Sequence, residues 1–247
     1  MSVPTTASHV GVLGHTIEGA ALCWTEVARH SAKLGQPQHP DITMDCISFE
    51  RVMPAWEAGD LATVRAVLRT SAERLAKADA EFFVCPDNTA HLALEAAGPE
   101  FPLPGLHIVD VVADAAQVAS YQRVAILGTR FTMNGPLYPR ELAKRGITAV
   151  IPAEAERERI HDAIFTELVY GRVPESVRST FHGIAERMQA EEGCDAVAAV
   201  CTEIPLAIDS STSPIPVLDS TRLLGRAAAE VALGRRPLPV WSGGAFG

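Results

Sequence analysis

The chain has 247 residues, room for one large α/β unit or two smaller lobes. Its 30 Asp and Glu against 21 Lys and Arg leave a net charge of -9, without the basic stripe that phosphate contacts require, so no nucleic-acid partner is expected. With 47% apolar and 21% charged residues the composition is that of a globular protein with a sizeable core, which excludes collagen-like, disulfide-scaffold and disordered classes.

Residues 1–10 lack both a cationic start and an apolar h-region, and no stretch approaches the ~18 apolar residues of a membrane span. A cytoplasmic protein with no membrane partner is expected. Next along the chain come apolar runs rich in Val, Ile and Phe, at 9–13, 42–49, 80–85, 106–109, 123–127, 148–151, 196–201 and 216–218. Helix-length amphipathic stretches alternate with them, at 19–34, 60–77, 88–97, 135–145, 155–170, 176–191 and 221–233, and the tail 237–247 reads as irregular. This alternation is the pattern of βα units and parallel sheets. Five cysteines (Cys23, Cys46, Cys85, Cys194 and Cys201) without CxxC spacing read as reduced thiols rather than a disulfide framework or zinc site.

Self-similarity says more than the single elements. The segment around Gly14 (HVGVLGHT) matches that around Gly128 (RVAILGTR), and the segment around Asp87 (AEFFVCPDNT) matches that around Cys201 (DAVAAVCTEI); both pairs stand 114 residues apart. Pro102-Leu103-Pro104 matches Pro214-Ile215-Pro216, and Ala-Glu-Arg recurs at 72–74 and 185–187. Four matches in one order indicate a duplication. The expected fold is therefore α/β, with two pseudo-symmetric Rossmann-like lobes, each a mainly parallel sheet flanked by helices: residues 1–112 with 219–247, and residues 113–218. Ligands of open parallel sheets bind beyond the carboxyl ends of the strands, so a shared cleft would set Asp87 and Cys201 on opposite sides of one carbon.

At these residues the sequence resembles the aspartate/glutamate racemase superfamily. The matching pieces are Asn88-Thr89-Ala90-His91, Cys201-Thr202-Glu203 and the segment from Leu127 to Met133 (LGTRFTM), with further similarity through residues 164–168, and the resemblance covers most of residues 9–230. It implies a cofactor-independent enzyme in which two cysteines face opposite sides of the substrate Cα, one thiolate removing the proton and the other thiol returning it. Cys201 matches the second cysteine; the position of the first is Asp87. Cys85 lies about 6.6 Å back along the strand and reads as core. A free Asp is a weaker base than a free thiol by ~4.6 units, so Asp87 needs either burial to raise its pKa or a role as an ionised orienting group. A second departure is the loop Gly14-His15-Thr16-Ile17-Glu18-Gly19, where aspartate racemases carry a Gly-Met-Ser/Gly-rich turn.

The resemblance thus implies Cys201 and Asp87 as catalytic groups and Asn88, Thr89, Thr129, Thr132 and Thr202 as holders of the substrate carboxylate. Ser48, at the expected end of the 42–49 strand, and His15 are further substrate contacts, with Glu203 and His91 supporting the catalytic pair. Asp87 or Asn88 also suits the cap of the helix that follows. His107 is a weaker cleft candidate, and His161 and His182 read as surface residues on helices. HExxH, GxGxxG and Walker loops are absent, so no metal or nucleotide cofactor is expected. The leading function is racemisation or epimerisation of an amino acid or related small carboxylate, with a homodimer implied by the resemblance alone. Two alternatives stay open: a one-cysteine decarboxylase or cis/trans isomerase of a small dicarboxylate, and a non-catalytic small-acid binding protein.

Overall fold

The structure is a computed structural model that describes residues 7–35 and 39–246. Residues 1–6, part of the segment read above as lacking a leader, and Gly247 of the tail lie outside the described residues. The chain divides into two units, Met1–Ile108 with Leu224–Gly247, and Val109–Leu223.

The first unit holds β1 (Val10–Gly14), α1 (Ile17–Lys33), β2 (Ile42–Cys46), α2 (Met53–Glu57), α3 (Leu61–Lys77), β3 (Phe82–Val84), α4 (Ala90–Leu94) and β4 (Gly105–Leu106). Its four strands are parallel in the order β2-β1-β3-β4. After α5 (Ile108–Val118), the second unit holds β5 (Arg123–Gly128), α6 (Arg130–Met133), α7 (Leu137–Ala143), β6 (Thr148–Val150), α8 (Glu154–Thr166), α9 (Glu175–Glu192), β7 (Ala196–Val200) and β8 (Val217–Asp219). Its parallel order, β6-β5-β7-β8, repeats that of the first sheet, and α10 (Ser220–Ala232) follows. The expected fold, parallel sheets flanked by helices in two α/β lobes, is the one found.

The pattern of burial explains why the sequence reads clearly in some strands. β1 and β7 are buried at every position, as central strands covered on both faces must be, so their sequences are unbroken apolar runs. β2 is an edge strand, only partly buried, and its sequence ITMDC is correspondingly mixed. Each sheet carries its own core: Leu13, Leu68, Leu75, Phe83 and Leu94 in the first unit, Leu127, Ile160, Phe181, Met188 and Val197 in the second. Each such side chain stabilises the fold by roughly 1.5–3 kcal/mol relative to exposure.

The matched glycines Gly14 and Gly128 end the central strands β1 and β5. A Cβ on Gly14 would lie 2.7 Å from the Ala20 Cβ, and one on Gly128 would lie 2.7 Å from Val200 Cγ2. No other residue lets the chain turn this close to its neighbour.

Several boundaries differ from the sequence reading. The run 42–49 stops as a strand at Cys46: Ile47 still donates to the Gly14 carbonyl at 3.1 Å, but the Ser48 carbonyl then accepts from Arg51 and closes a 3-10 turn over Phe49–Arg51. The run 106–109 ends at Leu106, because Ile108 opens α5. The stretch 88–97 is helical only over Ala90–Leu94, and 155–170 breaks at Thr166 into a 3-10 turn over Leu168–Tyr170 that closes on Gly171 in the left-handed region. Helices α2, α5 and α6 are additional. Among the described residues no helix is long and apolar enough to cross a membrane.

Candidate active site

The register of the central strands determines which side chains meet. In the first sheet Val12 pairs with Val84, a separation of 72 residues; carried three residues further, the same separation brings His15 beside Asp87. The contact is made: His15 Nδ1 lies 2.9 Å from Asp87 Oδ2. In the second sheet Gly128 pairs with Val200, again 72 apart, and Thr129 and Cys201 are the residues that follow them. The two halves thus place equivalent positions just past the carboxyl ends of their central strands, His15 and Asp87 in one, Thr129 and Cys201 in the other, and the first two are in contact.

Asp87 is tightly held. Its Oδ2 takes the His15 contact and its Oδ1 accepts the Ala90 N–H at 3.1 Å, so the carboxylate also caps the start of α4. Burial alone would push its pKa up, but the hydrogen bonds from His15 and the Ala90 N–H hold it below the usual carboxylate range. Asp87 is therefore an anion at neutral pH. Cys85, two residues earlier, is fully buried, and burial pushes its thiol well above the usual range. It is a core residue, as its position in the strand implied.

His91 locks this turn from behind. Its Nδ1 lies 2.8 Å from the Asp87 carbonyl oxygen, which can only accept, so Nδ1 carries the hydrogen; Nε2 then accepts the Ile108 N–H at 3.3 Å. Both bonds require the neutral ring, and burial, reinforced by His107, lowers its pKa to about 3. His107 is not on a strand: it follows β4, is buried, and bonds Glu95 at 2.9 Å. Trp241 of the tail stacks on His91 with ring centroids 6.2 Å apart and meets His107 edge-on at 4.8 Å. His107 is thus part of the packing behind the site.

In the second unit Cys201 follows β7 directly and donates its S–H to Glu203 Oε2 at 2.9 Å. Glu203 is buried and Cys201 partly exposed, so the thiol bridges a buried carboxylate and the surface. Thr129 caps α6, accepting the Thr132 N–H at 3.3 Å, and the two hydroxyl oxygens lie 3.2 Å apart, both buried. Asn88 and Thr89 are buried beside Asp87, and Thr202 is half-buried beside Cys201. Ser48, by contrast, is exposed in the loop after β2, away from the strand end where it was expected. His161, read as a surface residue, is half-buried: its Nδ1 accepts the Arg130 N–H at 3.2 Å, and its ring meets Phe131 and Phe165. No sequence motif marks it, since the contact joins positions 31 residues apart across α6 and α8. Among the described residues no group of three or more His, Cys, Asp and Glu is arranged to hold a metal ion.

Residues 12–228 match the family model described as Asp/Glu/Hydantoin racemase. The chain is 23% identical over 165 residues to the broad specificity amino-acid racemase RacX of Bacillus subtilis, covering 66% of this chain and 69% of that one. Among solved structures it is 29% identical to a Yersinia pestis protein assigned as an Asp/Glu racemase, with a TM-score of 0.80 over 92% of this chain and 99% of the other. It is 26% identical to PH1733 of Pyrococcus horikoshii, an aspartate racemase homologue, with a TM-score of 0.75 over the same shares. Together with duplicated sheets that present Cys201 and Asp87 at equivalent strand ends, these matches show that the chain belongs to the Asp/Glu/Hydantoin racemase family and is an enzyme of the amino-acid racemase class.

Proposed function

We propose that the protein racemises or epimerises an amino acid or related small carboxylate without a cofactor, with Cys201 as the acid/base on one face of Cα. The observation that carries this reading is the equivalent placement of Cys201 and Asp87 one or a few residues past the matched strands β7 and β3. Proton removal from one face and return to the other needs a titratable group on each side, and the duplication supplies one per half. Asn88, Thr89, Thr129, Thr132 and Thr202 would hold the α-carboxylate through hydroxyl and amide donors. Glu203 would keep the Cys201 S–H oriented, and His91 would fix the Asp87 turn. The loop from Gly14 to Gly19 departs from the aspartate-racemase turn, and a relative is named a broad specificity amino-acid racemase, so the proposed substrate class is amino acids at large rather than aspartate or glutamate alone.

One observation favours the one-cysteine alternative: Asp87 is held as an anion with both oxygens engaged, and the nearby Cys85 is sealed in the core. With a single usable thiol the site would protonate one face of an enediolate, as a decarboxylase does, or add reversibly to an alkene, as a cis/trans isomerase does. A panel of L- and D-amino acids, aryl malonates and maleate, followed by chiral chromatography, separates the readings. At least one amino acid should run to a racemic mixture from either antipode. Decarboxylation or cis/trans isomerisation without racemisation would select the one-cysteine reading, and saturable binding without turnover would make the protein a small-acid binder.

A further inference from the structure

Asp87 stands where a proton carrier is needed, yet its geometry is that of a fixed anion: Oδ1 is committed to the Ala90 N–H and Oδ2 to His15. The partner on Oδ2 is better suited to the task. His15 is buried at the end of β1, in the turn to α1, and its Nδ1 faces an oxygen that can only accept while ionised. Nδ1 therefore carries a hydrogen, which in the neutral ring leaves the lone pair on Nε2. A carboxylate that holds an imidazole in one tautomer and stands ready to balance the imidazolium is the arrangement by which a histidine becomes a general base. An ordinary imidazole is also the stronger base, by ~2.6 units over an ordinary carboxylate.

Resting on the racemase reading above, we infer that His15, oriented by Asp87, is the second acid/base of this enzyme and takes the place of the missing thiol. In one direction His15 Nε2 accepts the α-proton, the C–H electron pair passes into the substrate's carboxylate as an enediolate, and the Cys201 thiol gives its proton to the opposite face. The product antipode leaves His15 as imidazolium, its charge balanced by Asp87, and Cys201 as thiolate. In the reverse direction the thiolate takes the α-proton and the imidazolium returns one, which restores the starting forms. Asp87 is then a positioning residue and never carries the proton. The Gly14–Gly19 loop differs from the aspartate-racemase turn at the residue that compensates for the change at Asp87, so the two departures become one.

A two-base site can be tested one face at a time. In D₂O, with each antipode of the best substrate followed by proton NMR, His15→Gln should lose racemisation by ~10²-fold or more. It should still exchange the α-proton of the one antipode whose hydrogen meets Cys201, with retention of configuration. Asp87→Asn should show the same face-selective loss, smaller in size, because the amide holds the ring without its charge. Racemisation by His15→Gln within about tenfold of wild type, well short of the loss of a general base, would overturn the inference. So would an equal loss of exchange at both faces in a variant whose circular dichroism is native, since that is the signature of a strut. Should His15→Gln fail to fold, Asp87→Asn decides alone: face-selective loss supports the pair, while equal loss or none overturns it. A wild-type protein that exchanges no amino acid removes the racemase reading itself, an outcome distinct from the others because it precedes any substitution.

Discussion

Cys201 is the residue on which the proposed chemistry depends most directly. Its S–H is directed at Glu203, it directly follows the central strand β7, and unlike Cys85 it is not sealed in the core. A serine hydroxyl fits the same space but gives no accessible anion near neutral pH. Cys201→Ser is therefore expected to keep the wild-type melting curve and lose ~10²-fold or more in turnover, checked by initial rates on the substrate identified in the panel. Retention of more than a tenth of the rate would remove Cys201 from the mechanism. At this scale much was legible in the sequence, because duplication marks Asp87 and Cys201 as counterparts without any structure. The His15–Asp87 contact was not, since it joins residues 72 apart and exists only through the parallel register of β1 on β3. Ser48 was misplaced for a related reason: an edge strand has only one neighbour to follow, and β2 ends where β1 turns away at Gly14.

Among elements, the tail and α5 show how tertiary contacts decide what local sequence leaves ambiguous. Residues 108–118 are Val-rich and apolar, compatible with a strand or a buried helix by pattern alone. His91 captures the Ile108 N–H, giving the helix start a partner, and Ile108, Val109, Val112 and Ala116 are buried. The tail has no regular structure, yet it closes the exposed edge of β4: the Trp241 carbonyl accepts the Gly105 N–H at 2.6 Å, and Gly244 donates to Leu94 at 2.9 Å. Trp241 also packs on Phe83, His91 and His107, so Trp241→Ala should destabilise the protein by roughly 2–3 kcal/mol, less than a fully buried aromatic because the ring is partly exposed. A lower urea midpoint at unchanged m would show it. His91 adds a pH dependence of definite sign. Its folded pKa of about 3 lies below the unfolded value of 6.5, so below pH 6.5 the unfolded chain binds a proton that the folded chain does not. Stability is complete above 6.5 and falls as pH drops toward 3, by about 1 kcal/mol between pH 7.5 and 5.5 from this group. His91→Gln, which cannot titrate, should be less stable at neutral pH but lose less on acidification; urea titrations at the two pH values measure both.

At the scale of the whole molecule, two units of one topology each place chemically different residues at equivalent strand ends, and the proposed reaction with two faces draws on that difference. The alternation of apolar runs and helices made this architecture readable, because central parallel strands buried on both sides leave unbroken apolar sequence, as β1 and β7 do. Short helices such as α2 and α6 left no such trace, being only five and four residues long. Because acid/base groups of the chain suffice for the proposed chemistry, dialysis against EDTA and treatment with hydroxylamine should leave the rate unchanged. Recovery of a lost rate by a divalent cation or an aldehyde cofactor would contradict that. The central claim, proton exchange through opposite faces of one carbon, is tested most directly by running the wild-type enzyme in D₂O from each pure antipode and reading the product by proton NMR and chiral chromatography. The account predicts that either antipode approaches a racemic mixture and that the newly formed antipode carries deuterium at Cα from the first turnovers. A product formed without deuterium, or a reaction that proceeds from one antipode only, would contradict it.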